Sequence, residues 1–182
     1  MKHYHKLNEF HRDCGFRLPE DPLFSIRQNN SECEHGEQTF TTDFYIILLH
    51  GQDISRNGSV NNGTGYGAVE FVKPGRLMKR SLFSRDKDGF SLLIHSDFLN
   101  DSPLKQEISS NDFFEGPLLE LKKEERIIIQ GLLQRIELEY LNNPDEYSRR
   151  IILAALSSLF KYLERFYKRQ RIGNSSITDV FG

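Results

Sequence analysis

Near residue 118 the spacing of apolar residues changes, and it changes once, which confines the chain to a sheet-built unit followed by a helical one. Upstream, short runs of β-branched and aromatic residues are separated by turn residues with no long helical pattern between them. These runs are residues 23–26, 39–49 (TFTTDFYIILL), 68–72, 77–83 and 89–99 (GFSLLIHSDFL). Asn57-Gly58, Asn62-Gly63, Lys73-Pro74-Gly75 and residues 86–89 supply turns between them, so the spacing predicts an antiparallel sandwich or barrel over about 23–96. Downstream, Ile129, Leu132, Leu133, Ile136 and Tyr140 recur at steps of three and four, with Glu124 and Glu125 early, where acidic groups favour a helix N-terminus.

Asn142-Asn143-Pro144-Asp145 ends that helix, because proline disfavours helical geometry in the residue before it, and Asp145 caps the next one. The second helix is read to about residue 171, with Ile152, Leu156, Leu159, Leu163 and Phe166 on one stripe and Leu153, Phe160 and Tyr167 beside it. So wide an apolar surface exceeds one packing face. The reading is therefore an antiparallel hairpin at 118–172, placed against the β-unit and a second copy of the chain, with Leu156, Leu159 and Leu163 at a homodimer interface. Residues 1–22 read as an arm with few anchors of its own, and 173–182 as a polar linker.

Within 182 residues there is room for one core with a helical appendage. A net charge of −2 gives no footprint for direct DNA binding, and no apolar run approaches the roughly 18 residues of a membrane span. The expectation is a cytoplasmic protein with no membrane partner. In such a protein Cys14 and Cys33 are free thiols, and the sequons at Asn29, Asn57 and Asn62 are coincidental.

Candidate chemistry is sparse. His3, His5, His11, Cys14, Cys33 and His35 gather metal-ligand types near the start, but their spacing matches no compact zinc pattern, and no metal site or cofactor is expected. The glycines of residues 63–67 (GTGYG) lack the Lys-Ser/Thr of a phosphate loop and read as a hairpin turn. His95-Ser96-Asp97 cannot form a relay, since sequence neighbours do not face one another, and Glu137 and Glu139 lie on different helix faces. No catalytic residue follows, and the chain is read as a non-enzyme. Lys161, Arg165, Lys168, Arg169 and Arg171 complement the dipole at the end of the second helix; their functional reading is a contact with phosphates or with a following DNA-binding domain.

The strand of residues 89–99, running into His95, a turn and Asp97-Phe98-Leu99, resembles the N-terminal regulatory domain of AraC-type transcription regulators. Further likenesses follow in the family's order: Pro22-Leu23-Phe24-Ser25-Ile26, Asp43-Phe44-Tyr45, residues 71–75, Asn111-Asp112-Phe113-Phe114, and Glu164-Arg165-Phe166-Tyr167 leading to Lys168-Arg169-Gln170. The family's Pro-Gly-x-x-His turn reads Pro74-Gly75-Arg76-Leu77-Met78 here, without the histidine. The resemblance implies an α+β fold: an antiparallel cupin-like β-barrel (double-stranded β-helix) with a short helix over residues 23–117, then the dimerising hairpin. It implies an effector-sensing and dimerisation domain, a small-molecule effector of unknown identity, and DNA contact only through a C-terminal helix-turn-helix domain that this chain lacks. Phe44, Tyr45, Arg76 and His95 are the ligand-binding candidates a barrel could turn inward. The alternatives are a small-molecule cupin enzyme or metal-dependent sugar-binding cupin, for which the expected strands offer only His50 and His95 with no His-x-His past residue 5, and a purely structural dimerisation domain with a filled barrel.

Overall fold

The computed structural model describes residues 1–29, 38–51, 65–79, 83, 88–110, 118–142 and 144–178. In chain order these form β1 (Lys2–Tyr4), α1 (Leu7–Asp13), β2 (Phe24–Gln28), β3 (Thr39–Thr42), β4 (Phe44–His50), β5 (Ala68–Val72), β6 (Met78–Lys79) and β7 (Phe90–His95). A 3-10 turn at Ser96–Leu99 leads to α2 (Leu104–Ser110), β8 (Leu119–Glu120), α3 (Lys123–Leu141) and α4 (Ser148–Thr178). The fold is mixed α+β with two sheets, one ordered β1-β3-β6 and the other β2-β7-β4-β5-β8. Every pairing is antiparallel except β1 with β3, and the described residues do not close a barrel.

Strand alternation divides the core in two. Phe24, Ile26, Ile47, Leu49, Val69, Phe71, Leu92 and Ile94 leave one face of the larger sheet and pack with Ile129, Leu133, Ile136, Leu156, Leu159 and Leu163 of the helix pair. Phe44, Ile46, Leu48, Val72 and Leu93 leave the other face and meet Phe40 and Met78 of the smaller sheet. The space between the sheets is closed by the chain's own beginning: Leu7, Phe10, Cys14 and Phe16 lie in this second core. The Phe10 ring sits within 5.2–6.1 Å of the rings of Tyr4, Phe16, Phe40, Phe44 and Phe83.

The residues expected to form an arm with few anchors are thus a strand and a helix that complete a core. Their apolar side chains are too irregularly spaced, among too many polar neighbours, for a period to stand out. The run 39–49 is likewise two strands, because the chain bends at Asp43 and passes from the smaller sheet to the larger. A uniformly β-forming run carries no periodic mark of such a break.

Leu119 and Glu120 pair with Val69 and Ala68 as an edge strand, so the helix expected from residue 118 begins at Lys123, where the Glu125 carboxylate accepts the Lys122 N–H at 2.9 Å. Asp145 caps α4 as expected, its Oδ1 accepting from the N–H groups of Tyr147 (2.9 Å) and Ser148 (3.0 Å). The hairpin is antiparallel: Arg169, late in α4, donates to Glu125, early in α3, at 3.0 and 2.6 Å. The α4 backbone stays helical to Thr178, through part of the stretch expected to be a linker, since extending a packed helix costs far less than starting one.

Arg126 ties α3 to the loops at the end of the larger sheet. Its guanidinium donates to the carbonyls of His50 (2.7 Å), Tyr66 (3.1 Å) and Asp88 (2.8 Å). Gly67 makes room for it: its φ is +90°, and a Cβ there would collide with Arg126 Nη1 and the His50 carbonyl. The Lys73-Pro74-Gly75-Arg76 turn forms as expected, with Gly75 at φ +81° and the Arg76 N–H donating to Lys73 O at 3.2 Å. The turns expected at Asn57-Gly58 and Asn62-Gly63, the Asn111–Phe114 motif, Cys33 and His35 lie outside the described residues.

Candidate functional site

The four ligand-binding candidates do not converge. Phe44 is fully buried between the two sheets, 6.0 Å from the Phe10 ring, where α1 occupies the space an effector would need. Tyr45 points to the opposite face, its ring 5.9 Å from Phe71. Arg76 is exposed beyond the turn. His95 caps the 3-10 turn, its Nδ1 accepting the Asp97 N–H at 3.2 Å. The cap is therefore the His95 side chain itself.

Leu156, Leu159 and Leu163 are also enclosed, each fully buried within the single chain between α4, α3 and the larger sheet. A stripe broad enough to suggest a second copy is covered by the chain's own β-unit and α3. The hairpin leaves Ile127, Leu138, Leu141 and Ile151 in water instead. The basic end of α4 is largely paired: Lys161 meets Glu107 and Glu164, Lys168 meets Glu164, and Arg169 meets Glu125. Asn29 is buried and its Oδ1 accepts from Ser91 Oγ at 2.6 Å, which takes the first sequon out of reach of modification.

The structure opens a different site. Where the chain leaves α1, residues 17–20 pass beside the free edge of β2 and reach α3, and a cleft of about 190 Å³ lies between these three elements. Tyr140 holds its far wall, its hydroxyl accepting the Glu20 N–H at 2.6 Å. Burial, only partly offset by that bond, pushes the phenol above its ordinary 10. Glu137 accepts the Gln28 N–H at 3.1 Å, so it closes the end of β2 and is not simply a solvated helix residue. Arg17 pairs with Glu20 at 2.6 Å, and the Arg27 guanidinium lies 3.6 Å from the centroid of the Phe16 ring, a cation–π contact.

His11 lines the same cleft. Its Nδ1 meets the Arg17 carbonyl at 2.5 Å and must donate there, which leaves Nε2 as a lone-pair acceptor with no hydrogen-bond partner among the described residues. Desolvation lowers the pKa of the imidazole below 6.5 and keeps the ring neutral. A second cleft of about 150 Å³ shares Glu20 and Tyr140 and opens toward Phe98, Asp145 and Arg149, so the Glu20–Tyr140 hydrogen bond stands between the two. The larger cleft offers donors, acceptors and both signs of charge, in a volume below the roughly 300 Å³ at which ordinary ligand pockets begin. Sequence reasoning missed it because nothing in residues 11–28 signals that they meet residues 137–141, more than a hundred positions along the chain.

Among the metal-ligand types near the start, His11 and Cys14 are buried. His3 and His5 instead meet Asp43 at the surface. The hydrogen bond from His5 foremost, with a further one from His3, holds the Asp43 carboxyl below its ordinary 3.8. No helix among the described residues is long and apolar enough to cross a membrane. No protein-family model matches the chain, and no curated protein sequence does.

Proposed function

We propose that this chain is the effector-sensing and dimerisation module of an AraC-type regulator, a non-catalytic unit whose small-molecule site is the cleft between residues 17–20, β2 and α3. The observation carrying this reading is the Glu20–Tyr140 hydrogen bond, which joins the initial segment to the helix pair across the wall of the cleft. A small polar effector held there touches the initial segment, the sheet edge and the hairpin together. It stabilises whichever arrangement of the three fits it, which is the differential binding a population shift requires. In this reading the two sheets stand in for the cupin-like barrel that the resemblance implies, and α1 packs into the space between them. That filling counts against a cupin enzyme, whose metal donors would have to point into a space lined here by Phe10, Phe40, Phe44 and Phe83. In this reading self-association uses the outer face of the hairpin at Ile127, Leu138, Leu141 and Ile151.

The test is the reading frame that encodes this chain. The proposal expects two helix-turn-helix patterns C-terminal to Gly182, and a frame without them overturns the regulatory assignment. The filled interior also favours a purely structural dimerisation module. A compound that raises the melting temperature of the wild-type chain but not of Tyr140→Phe separates an effector site from that reading.

A further inference from the structure

The strand β1 is short, but the orientation of its side chains is set firmly. Tyr4 is buried against Phe10 and Phe40 (ring centroids 5.3 and 5.7 Å), and its hydroxyl donates to Asp13 at 2.7 Å. Alternation along a strand therefore turns His3 and His5 to the outer side. The partner strand is presented in the same sense. β1 and β3 run parallel with His3 opposite Thr41 and Tyr4 opposite Thr42, and the Asp43 N–H continues the ladder to Tyr4 O at 3.0 Å. Phe40 and Thr42 are buried, so Thr41 and Asp43 take the outer side, where Asp43 lies level with His5.

The three side chains close on one another there. His3 Nε2 lies 2.8 Å from Asp43 Oδ1 and His5 Nδ1 lies 2.6 Å from Asp43 Oδ2, and one ligand atom from each residue falls within 4.8 Å of the other two. His3 Nδ1 meets Thr41 Oγ1 at 2.6 Å, which steadies that ring and leaves Nε2 aimed at the carboxylate. All three residues are exposed, so the outward side of the cluster is open to water.

We propose that His3, His5 and Asp43 form a binding site for a borderline divalent transition-metal ion, of which Zn²⁺ is the type. Two imidazoles and one carboxylate match the donor preferences of Zn²⁺, whereas Mg²⁺ and Ca²⁺ favour all-oxygen sites. Small rotations of the side chains open the present hydrogen bonds to admit the ion, and water fills the remaining coordination positions. The bound ion clamps β1 to β3 and so reinforces the edge of the smaller sheet that α1 depends on. The spacing alone does not reveal the site, because the third ligand is 38 residues beyond the second and arrives by strand pairing.

The experiment is calorimetric titration of the full chain, purified without a polyhistidine tag, with Zn²⁺, and with Co²⁺ monitored by visible absorption. Expected is one Zn²⁺ per chain, a ligand-field spectrum with Co²⁺, and a rise in melting temperature with Zn²⁺ but not with Mg²⁺. His5→Ala and Asp43→Asn, both at exposed positions, should each weaken Zn²⁺ binding about tenfold or more. Absence of Zn²⁺ binding by the wild-type chain overturns the proposal. So does binding that survives these substitutions undiminished, since the ligands would then lie elsewhere.

Discussion

The two ends of the described chain invert their apparent roles. The sequence before β2 mixes polar and aromatic residues like a loose arm, yet it inserts Phe10 into the space between the sheets. The α4 sequence is so apolar that it suggests a surface for a second copy, yet its stripe is consumed within one chain. The difference teaches that the amount of apolar surface does not say where that surface is covered. α1 has only 7 residues and can be ordered only by what it packs against, whereas α4, with 31, carries its own periodicity.

The largest expected effect tests the α4 side. Leu159→Glu places an unpaired carboxylate in the core and should cost more than about 4 kcal/mol, leaving the chain unfolded by circular dichroism. A folded, monomeric Leu159→Glu chain would restore α4 as an interface and break the comparison. On the other side, Phe10→Ala should cost about 3–5 kcal/mol in urea denaturation, the penalty of emptying a packed aromatic site. If the early residues were a detachable arm, the loss would stay below about 1 kcal/mol.

A smaller effect concerns pH. His11 has a folded-state pKa below 6.5, so as pH falls through that value the unfolded chain takes up a proton that the folded chain refuses. Its contribution is complete above pH 6.5 and is lost on acidification toward the folded pKa, with a slope of at most about 1.4 kcal/mol per pH unit. Asp43 and Asp145, whose carboxyls are held below 3.8, act only in more acidic solution. Urea midpoints measured between pH 7.5 and pH 5 should therefore fall less steeply in His11→Gln than in the wild type; identical slopes would detach His11 from the packed interior. Smallest of all, Leu138→Glu, on the exposed face of α3, should change stability by less than about 0.5 kcal/mol while abolishing any dimer seen by sedimentation.

The candidate site was less legible than the fold. The turn at Pro74-Gly75, the cap at Asp145 and the helical stripe of α4 are local features, decided by a residue's own φ preference, its short side chain or its spacing. The cleft beside Tyr140 and the cluster at Asp43 join residues 120 and 38 positions apart, and nothing in either segment names its partner. His95 shows the boundary between the two kinds of feature. Its place at the end of a strand is readable, but that its own Nδ1 takes the cap bond depends on a rotamer that packing selects.

By itself the sequence determined the order of a sheet-built unit and a helix pair, most strand and helix positions, and the breaks between them, because these follow from short-range backbone preference and periodicity. Tertiary structure alone decided that the chain divides between two sheets at Asp43, that α1 fills the space between them, that the α4 stripe faces inward, and that His3 and His5 meet a carboxylate. Each of these is a choice among surfaces of similar apolar content or donor type, and only packing the whole chain into one volume distinguishes them.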